Sequence, residues 1–121
     1  MTEQNKFFTI EKQISAELIS DMLITAVESG ISYWCKYMRA KFENKSNLPY
    51  YANCFDQNWK VEICAYEEEP IALDISSVKK GVEIMSNNYP RHYSDMMNDN
   101  ADAVTADVFF QCIAFGKVIY G

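Results

Sequence analysis

The sequence has few of the residues from which catalytic motifs are built. Only four glycines and one histidine occur, so no glycine-rich loop is available to cradle a phosphate. No nucleophile motif and no metal-ligand spacing is visible, and zinc binding by His92 would have to recruit distant cysteines. We therefore expect a protein that is not an enzyme and that uses no metal or cofactor.

Long hydrophobic runs and paired cysteine motifs are also missing. No run is long enough to span a membrane, and the polar start MTEQNKFFTIEKQ lacks the apolar region of a signal peptide. The four cysteines have no CxxC spacing, and Cys112 lies within an apolar segment. This pattern favours reduced thiols over a disulfide framework. We expect a cytoplasmic protein that does not contact membranes.

Positive charge is scarce as well. The sequence contains eleven Lys and Arg residues and seventeen Asp and Glu residues, which gives a net charge of −6. Nonspecific binding to nucleic acid or to anionic membranes is therefore disfavoured, and no direct nucleic-acid binding is expected. An apolar share of 49% excludes a disordered chain, and residues 1–121 are long enough for one compact domain.

The periodicity of apolar residues predicts an α+β domain. We expect an antiparallel sheet of three to four strands with three helices packed on it, in the order β-α-β-β-β-α-α. The predicted elements are an edge strand at 7–14, a helix capped by Ser15 and ended by Gly30, strands at 31–42, 58–66 and 71–75, a helix at 78–87 capped by Ser76 or Ser77, a polar loop at 87–101, a helix at 104–115, and a short strand at 117–120. The short connection after residue 66 predicts a hairpin. Gly81 lies within the predicted helix at 78–87, where glycine is less favourable than alanine, so we expect another element to pack closely there.

The helix at 104–115 is apolar on nearly every side. Val104, Val108, Cys112 and Phe115 share one face, and Phe109, Phe110 and Ile113 continue the apolar surface around it. Such a helix must be covered by its own domain or by a second subunit, so we expect a homo-oligomer. Asp107 and Gln111 lie one turn apart on it, and they must meet water, bond a backbone group or hold a ligand.

Two aromatic segments are candidate binding sites. The loop segment Tyr89–Tyr93 carries Arg91, His92 and Tyr93, which together suit base stacking and phosphate binding, although a plain surface turn has the same composition. Tyr33 and Trp34 form a second candidate platform near Lys36 and Arg39. The alternative is that Trp34 closes the sheet against a helix.

Short acidic runs are a third candidate. The runs at 67–69 and at Asp95, Asp99 and Asp102 could imitate a phosphate track, but runs of this size are usually solvated turns.

Two stretches resemble a family of small proteins encoded by tailed bacteriophages. The stretch GISYW at 30–34 is similar to a Gly-x-x-Tyr-Trp motif after the first helix, and FGKVIYG at 115–121 is similar to a Phe-Gly-x-Val-x-Tyr-Gly terminus. No activity is established for the family, so the resemblance implies no catalytic residue. It implies a phage or prophage origin and expression in the bacterial host cytoplasm.

Small phage proteins without enzyme motifs often antagonise host antiviral defence. By this analogy we expect a non-catalytic binding protein that sequesters a small nucleotide signal in a pocket between subunits. In this pocket Tyr33 and Trp34 are expected to stack on the base, and Arg91, beside His92 and Tyr93, is expected to bind phosphate. Asp107 and Gln111 are expected to contact the ribose or the base edges, and Tyr120 is expected to close the pocket wall. The alternatives are an anti-CRISPR-like protein–protein inhibitor, whose acidic surface blocks a nucleic-acid-binding host effector, and a structural or housekeeping phage protein.

Overall fold

The computed structural model of the chain describes residues 13–121. The predicted edge strand at 7–14 falls mainly outside this range. The described elements are α1 (Ala16–Thr25), a π-helical turn (Ala26–Gly30), β1 (Cys35–Ala40), a 3₁₀ turn (Tyr50–Ala52), β2 (Val61–Ala65), β3 (Ile71–Leu73), α2 (Ile75–Asn88), α3 (Pro90–Met97) and α4 (Ala103–Phe115).

The α+β class is confirmed. The three strands form one antiparallel sheet in the order β1-β2-β3, with Met38 opposite Ile63 and Val61 opposite Leu73. The predicted hairpin is therefore present as β2 and β3, while the number of helices in the described residues is four instead of three. One hydrophobic cluster joins the sheet to the helices.

The first helix begins where its cap predicts. The Ser15 hydroxyl accepts a hydrogen bond from the backbone N–H of Leu18 at 3.0 Å, which satisfies a free donor of the first turn. Regular α-helix ends at Thr25, and a π-helical turn continues to Gly30. At Gly30 the backbone lies so close to α4 that an added Cβ would be 2.8 Å from the carbonyl oxygen of Ala103.

Helix α2 starts earlier than the serine caps predict. Asp74 is the cap, because its side chain accepts from the backbone N–H of Ser77 at 3.1 Å while the Ser77 hydroxyl accepts from the backbone N–H of Asp74 at 3.2 Å. This reciprocal pair is a capping box. The helix therefore includes Ile75, which the sequence pattern assigned to the preceding strand.

The predicted loop at 87–101 is wrong, because it contains α3. Pro90 occupies the first turn, where its missing N–H costs nothing, and Met96 turns into the core. The segment is so polar that one buried side chain gives too weak a periodic signal to indicate a helix.

Helix α4 is the central element of the core. Asp102 caps it by accepting from the backbone N–H of Thr105 at 2.9 Å, and Gly116 ends it in the left-handed region with φ of 75°. All nine residues from 105 to 113 are buried within this single chain. The predicted burial of the helix is confirmed, but Val104 is wrong as a core residue since its exposed fraction is 61%.

Residues 117–120 do not form the predicted strand. Their backbone is held by side chains instead of by a neighbouring strand, because the N–H of Val118 donates to the hydroxyl of Tyr89 at 3.0 Å and the N–H groups of Ile119 and Tyr120 donate to Gln111.

Within residues 13–121, no helix combines the length and the apolar character needed to cross a bilayer.

Candidate functional site: a groove beside a buried carboxylate

A buried carboxylate on α4 connects the central helix to the segment that follows the π-helical turn. Asp107 is 9% exposed. Its Oδ2 accepts from the hydroxyl of Tyr33 at 2.5 Å, and its Oδ1 accepts from the indole N–H of Trp34 at 2.8 Å. The O–H···O contact has the short length of a charge-assisted hydrogen bond. Asp107 therefore fixes two consecutive aromatic residues against the helix.

Gln111 extends this network to the C-terminal segment. Its amide nitrogen donates to Asp107 Oδ1 at 2.8 Å, and its amide oxygen accepts from the backbone N–H groups of Ile119 at 2.8 Å and Tyr120 at 2.9 Å. The Gln111 side chain is fully buried. The Gln111 amide therefore forms its hydrogen bonds within the chain, to Asp107 and to the C-terminal backbone. This agrees with the alternative in which the polar residues of α4 bond protein groups and not a ligand.

Trp34 lies in the core. Its exposed fraction is 2%, and its ring stacks on Tyr120 with the centroids 5.3 Å apart and the planes 7° apart. Phe115 packs at a tilt against the same indole. Because the ring faces are covered and the N–H is bonded to Asp107, Trp34 has no surface left to stack a ligand in this conformation.

A groove of about 420 Å³ runs between the π-helical turn, α4 and the C-terminal segment. It is lined by Gly30, Tyr33, Ala103, Val104, Asp107, Val108, Val118, Tyr120 and Gly121. Tyr33 at 55% exposure and Val104 at 61% form its open rim. None of the lining residues is basic, so the groove is a mainly apolar surface with one acidic side chain, that of Asp107, in its wall.

The environment of Tyr33 keeps its hydroxyl protonated. Burial of the hydroxyl and its hydrogen bond to Asp107 raise the pKa of Tyr33 from 10.0 to about 12. Both effects disfavour a phenolate, the first by desolvation and the second by placing negative charge beside it. At neutral pH the phenol is therefore a hydrogen-bond donor to the carboxylate.

The eight residues predicted as ligand-binding fall into two groups. Five of them are brought together by the network and the groove: Tyr33, Trp34, Asp107, Gln111 and Tyr120. The other three, Arg91, His92 and Tyr93, belong to α3 and do not line the groove.

The three α3 residues have other surroundings. His92 Nδ1 is 2.9 Å from the hydroxyl of Thr105, and Tyr93 packs against the core. Arg91 is exposed. The cations expected near Tyr33 are also absent from the groove lining, and the guanidinium of Arg39 lies 4.3 Å from the ring centroid of Tyr37.

Sequence reasoning missed much of the groove wall. The sequence pattern predicts Val108 in the core and Val118 in a strand, and it marks Ala103 only as a small residue beside the apolar surface of the last helix. The sequence identifies Gly30 as a helix end and as the first residue of the GISYW stretch. Its place in the groove wall follows only from its close approach to α4. Gly121 lies against Tyr33, since an added Cβ would be 2.7 Å from the tyrosine hydroxyl.

Comparisons of this chain with protein-family models, with curated proteins and with solved structures gave no match. The resemblance to small phage proteins therefore stays a prediction. Within residues 13–121, no group of three or more His, Cys, Asp or Glu side chains is arranged to hold a metal ion.

Proposed function

We propose that this chain is a non-catalytic binding protein that antagonises host antiviral defence by direct contact with a host protein. The observation that carries the proposal is the groove beside Asp107. Its apolar wall and its exposed rim residues Tyr33 and Val104 have the composition of a protein-binding surface, in which aromatic and aliphatic anchors surround a few polar groups. The net charge of −6 suits a basic partner, such as a nucleic-acid-binding effector.

The phage origin, the bacterial host cytoplasm and the homo-oligomeric state belong to the same proposal. The first two rest on the resemblance at residues 30–34 and 115–121. Oligomerisation is supported by apolar side chains outside the groove that stay exposed on the single chain, among them Phe55 and Ile119. A structural or housekeeping role in the phage is the competing proposal for the same features.

Sequestration of a nucleotide signal between subunits is the second candidate. It is favoured by the exposed ring of Tyr33, which is free to stack a base. A phosphate needs a cation, however, and Arg91 is not among the residues that line the groove. The arginine would have to come from a second subunit. For this reason we place contact with a protein first.

Affinity capture from a host lysate, followed by native mass spectrometry, tests the proposal. We expect a basic host protein to be retained at low salt and released as salt rises, because screening weakens attraction between exposed charges. Val104→Lys should abolish the complex, because it adds a positive charge that repels a basic partner at an exposed rim position whose substitution leaves the core intact. Leu48→Lys is the matched control, since Leu48 is exposed at 42% and lies outside the groove.

A complex that survives Val104→Lys, or that is lost equally with Leu48→Lys, would contradict the groove as the binding surface. Native spectra of the same preparation also report subunit number and any retained ligand. A thermal shift with cyclic or ADP-ribose-type nucleotides that disappears in Arg91→Ala would favour the second candidate. Unchanged melting temperatures across such a panel would remove it.

A further inference from the structure

We propose that the groove receives an arginine side chain of the partner protein, with Asp107 as its counter-charge. This inference rests on the proposed function and names the chemistry that the groove recognises. It starts from the charge of Asp107. Both carboxylate oxygens act only as acceptors, from Tyr33, Trp34 and Gln111, and all three donors are neutral groups.

No cation accompanies this carboxylate within the described residues. The ion pair found among residues 13–121 joins Lys41 to Glu62 at 3.8 Å, and the groove lining contains no Lys, Arg or His. Burying a carboxylate without an opposite charge is costly, and hydrogen bonds from neutral donors offset only part of that cost. A cation that enters the groove would offset more of it.

The hydrogen bonds of Asp107 leave room for such a group. Oδ1 accepts from both Trp34 and Gln111, whereas Oδ2 accepts from Tyr33 alone. A carboxylate oxygen can accept two hydrogen bonds. Oδ2 therefore keeps one acceptor position, and it is the oxygen bonded to the groove-lining tyrosine.

The remaining walls favour arginine. Val104, Val108 and Val118 offer apolar contact for an aliphatic stem, and Tyr33 and Tyr120 are aromatic residues of the kind that attract cations. A guanidinium is more weakly hydrated than an ammonium, so it loses less on entering a mostly apolar groove. The volume of about 420 Å³ is ample for one long side chain.

The test is an NMR titration of the full chain with N-acetyl-arginine-N-methylamide. The matched probe is N-acetyl-citrulline-N-methylamide, which has nearly the same shape but no charge. We expect saturable shifts of the Tyr33, Val104 and Val108 resonances with the arginine probe, and affinity weaker by at least about tenfold with citrulline. Equal responses to the two probes, or shifts confined to residues outside the groove, would overturn the proposal.

Two variants separate the charge from the fold. Asp107→Asn should remove the preference for arginine, provided that its circular dichroism spectrum matches that of the original chain. Because Asp107 is buried and that variant risks misfolding, Val104→Lys is the second variant. It adds a competing ammonium at an exposed rim position, whereas Val104→Gln adds a neutral side chain there.

We expect Val104→Lys to lose the arginine response and Val104→Gln to keep it. Retention of the response in Val104→Lys would contradict an arginine site. A response to spermidine without a response to the capped arginine would contradict it too, because it would assign the groove to a free amine. If Val104→Lys abolishes the host complex while capped arginine gives no shift with the original chain, this inference fails and the proposed function stands. If capped arginine binds but no host protein is captured, the proposed function fails and the arginine site stands.

Discussion

Tyr33 and Asp107 are the residues on which the candidate site depends most directly. The raised pKa of Tyr33, about 12 against the ordinary 10.0, means that the folded chain favours the protonated phenol. The stabilisation from this hydrogen bond is fully present below about pH 10, the ordinary tyrosine pKa, and is lost as pH rises through about 12.

We therefore predict that Tyr33→Phe removes one late-titrating phenol from the protein. The measurement is the ultraviolet absorbance of tyrosinate between pH 9 and pH 12.5, taken as the difference between the original chain and the variant. The other tyrosines largely cancel in that difference. A difference curve with its midpoint near 10 would show that Tyr33 does not donate to Asp107 in solution.

At the scale of elements, α2 and α4 pack so closely that one position admits only glycine. A Cβ added at Gly81 would lie 2.5 Å from Cγ1 and 2.6 Å from Cα of Ile113. Gly81 confirms the expectation that a glycine within α2 marks a close approach. The backbone of α4 has to move before any larger residue fits there.

Gly81→Ala should therefore lower the free energy of unfolding by about 1–3 kcal/mol, although alanine is the better helix former. Chemical denaturation measures the change. Trimming Ile113 to Val in the same chain should not rescue it, because the clash includes backbone atoms. Gly116→Ala is the control for glycine removal without a clash, since its nearest contact is 3.7 Å and its cost of about 1 kcal/mol comes from the left-handed backbone. Equal or higher stability of Gly81→Ala would contradict the packing.

The C-terminal segment is attached to α4 mainly through Gln111. Gln111→Leu removes the acceptor of the Ile119 and Tyr120 N–H groups, so we predict faster hydrogen exchange across residues 118–121. Tyr89→Phe is the control, because it removes only the acceptor of the Val118 N–H. Hydrogen-exchange mass spectrometry distinguishes the two. Unchanged exchange in Gln111→Leu would mean that packing of Tyr120 on Trp34 holds the segment without the glutamine.

At the scale of the whole molecule, the thiols report how completely the core excludes water. All four cysteines are free, and burial raises the pKa of Cys54 and of Cys112 to about 11. Buried thiols with so little thiolate react slowly. We predict that Cys54 and Cys112 react with Ellman's reagent near pH 8 only as fast as the native protein unfolds. Denaturant should release all four thiols at once, and rapid native reaction of Cys54 or Cys112 would contradict this core.

The fold was predictable where the signal is local. The Ser15 cap, the hairpin, the close approach at Gly81 and the burial of α4 all follow from patterns a few residues long, and the structure confirms each of them. The errors have a common cause. Helix α3 has too few apolar residues to show a period. Asp74 takes the capping role because it lies two residues before Ser76 and three before Ser77, and its side chain accepts from the backbone N–H of Ser77, so that α2 begins earlier.

The candidate site was predictable only in part. Asp107 and Gln111 stand out in the sequence because they interrupt an apolar helix, and Tyr33 and Trp34 stand out as paired aromatics. Nothing in the sequence says that the two pairs meet, since Tyr33 and Asp107 are 74 residues apart along the chain. Likewise, no local pattern distinguishes the exposed Val104 from the buried Val108 one turn later.

The sequence by itself determined the class of the fold, the start of α1 at its Ser15 cap, the end of α4 at Gly116 and the need to bury α4, because backbone propensity, capping and hydrophobic periodicity act over short distances. The tertiary structure alone decided which polar groups share that interior. Trp34, Asp107 and Gln111 bond to one another because packing removes them from water and leaves them only each other, the Tyr33 hydroxyl and the C-terminal backbone as partners. That same packing leaves a carboxylate in the wall of an open groove, and this is where the binding function is proposed.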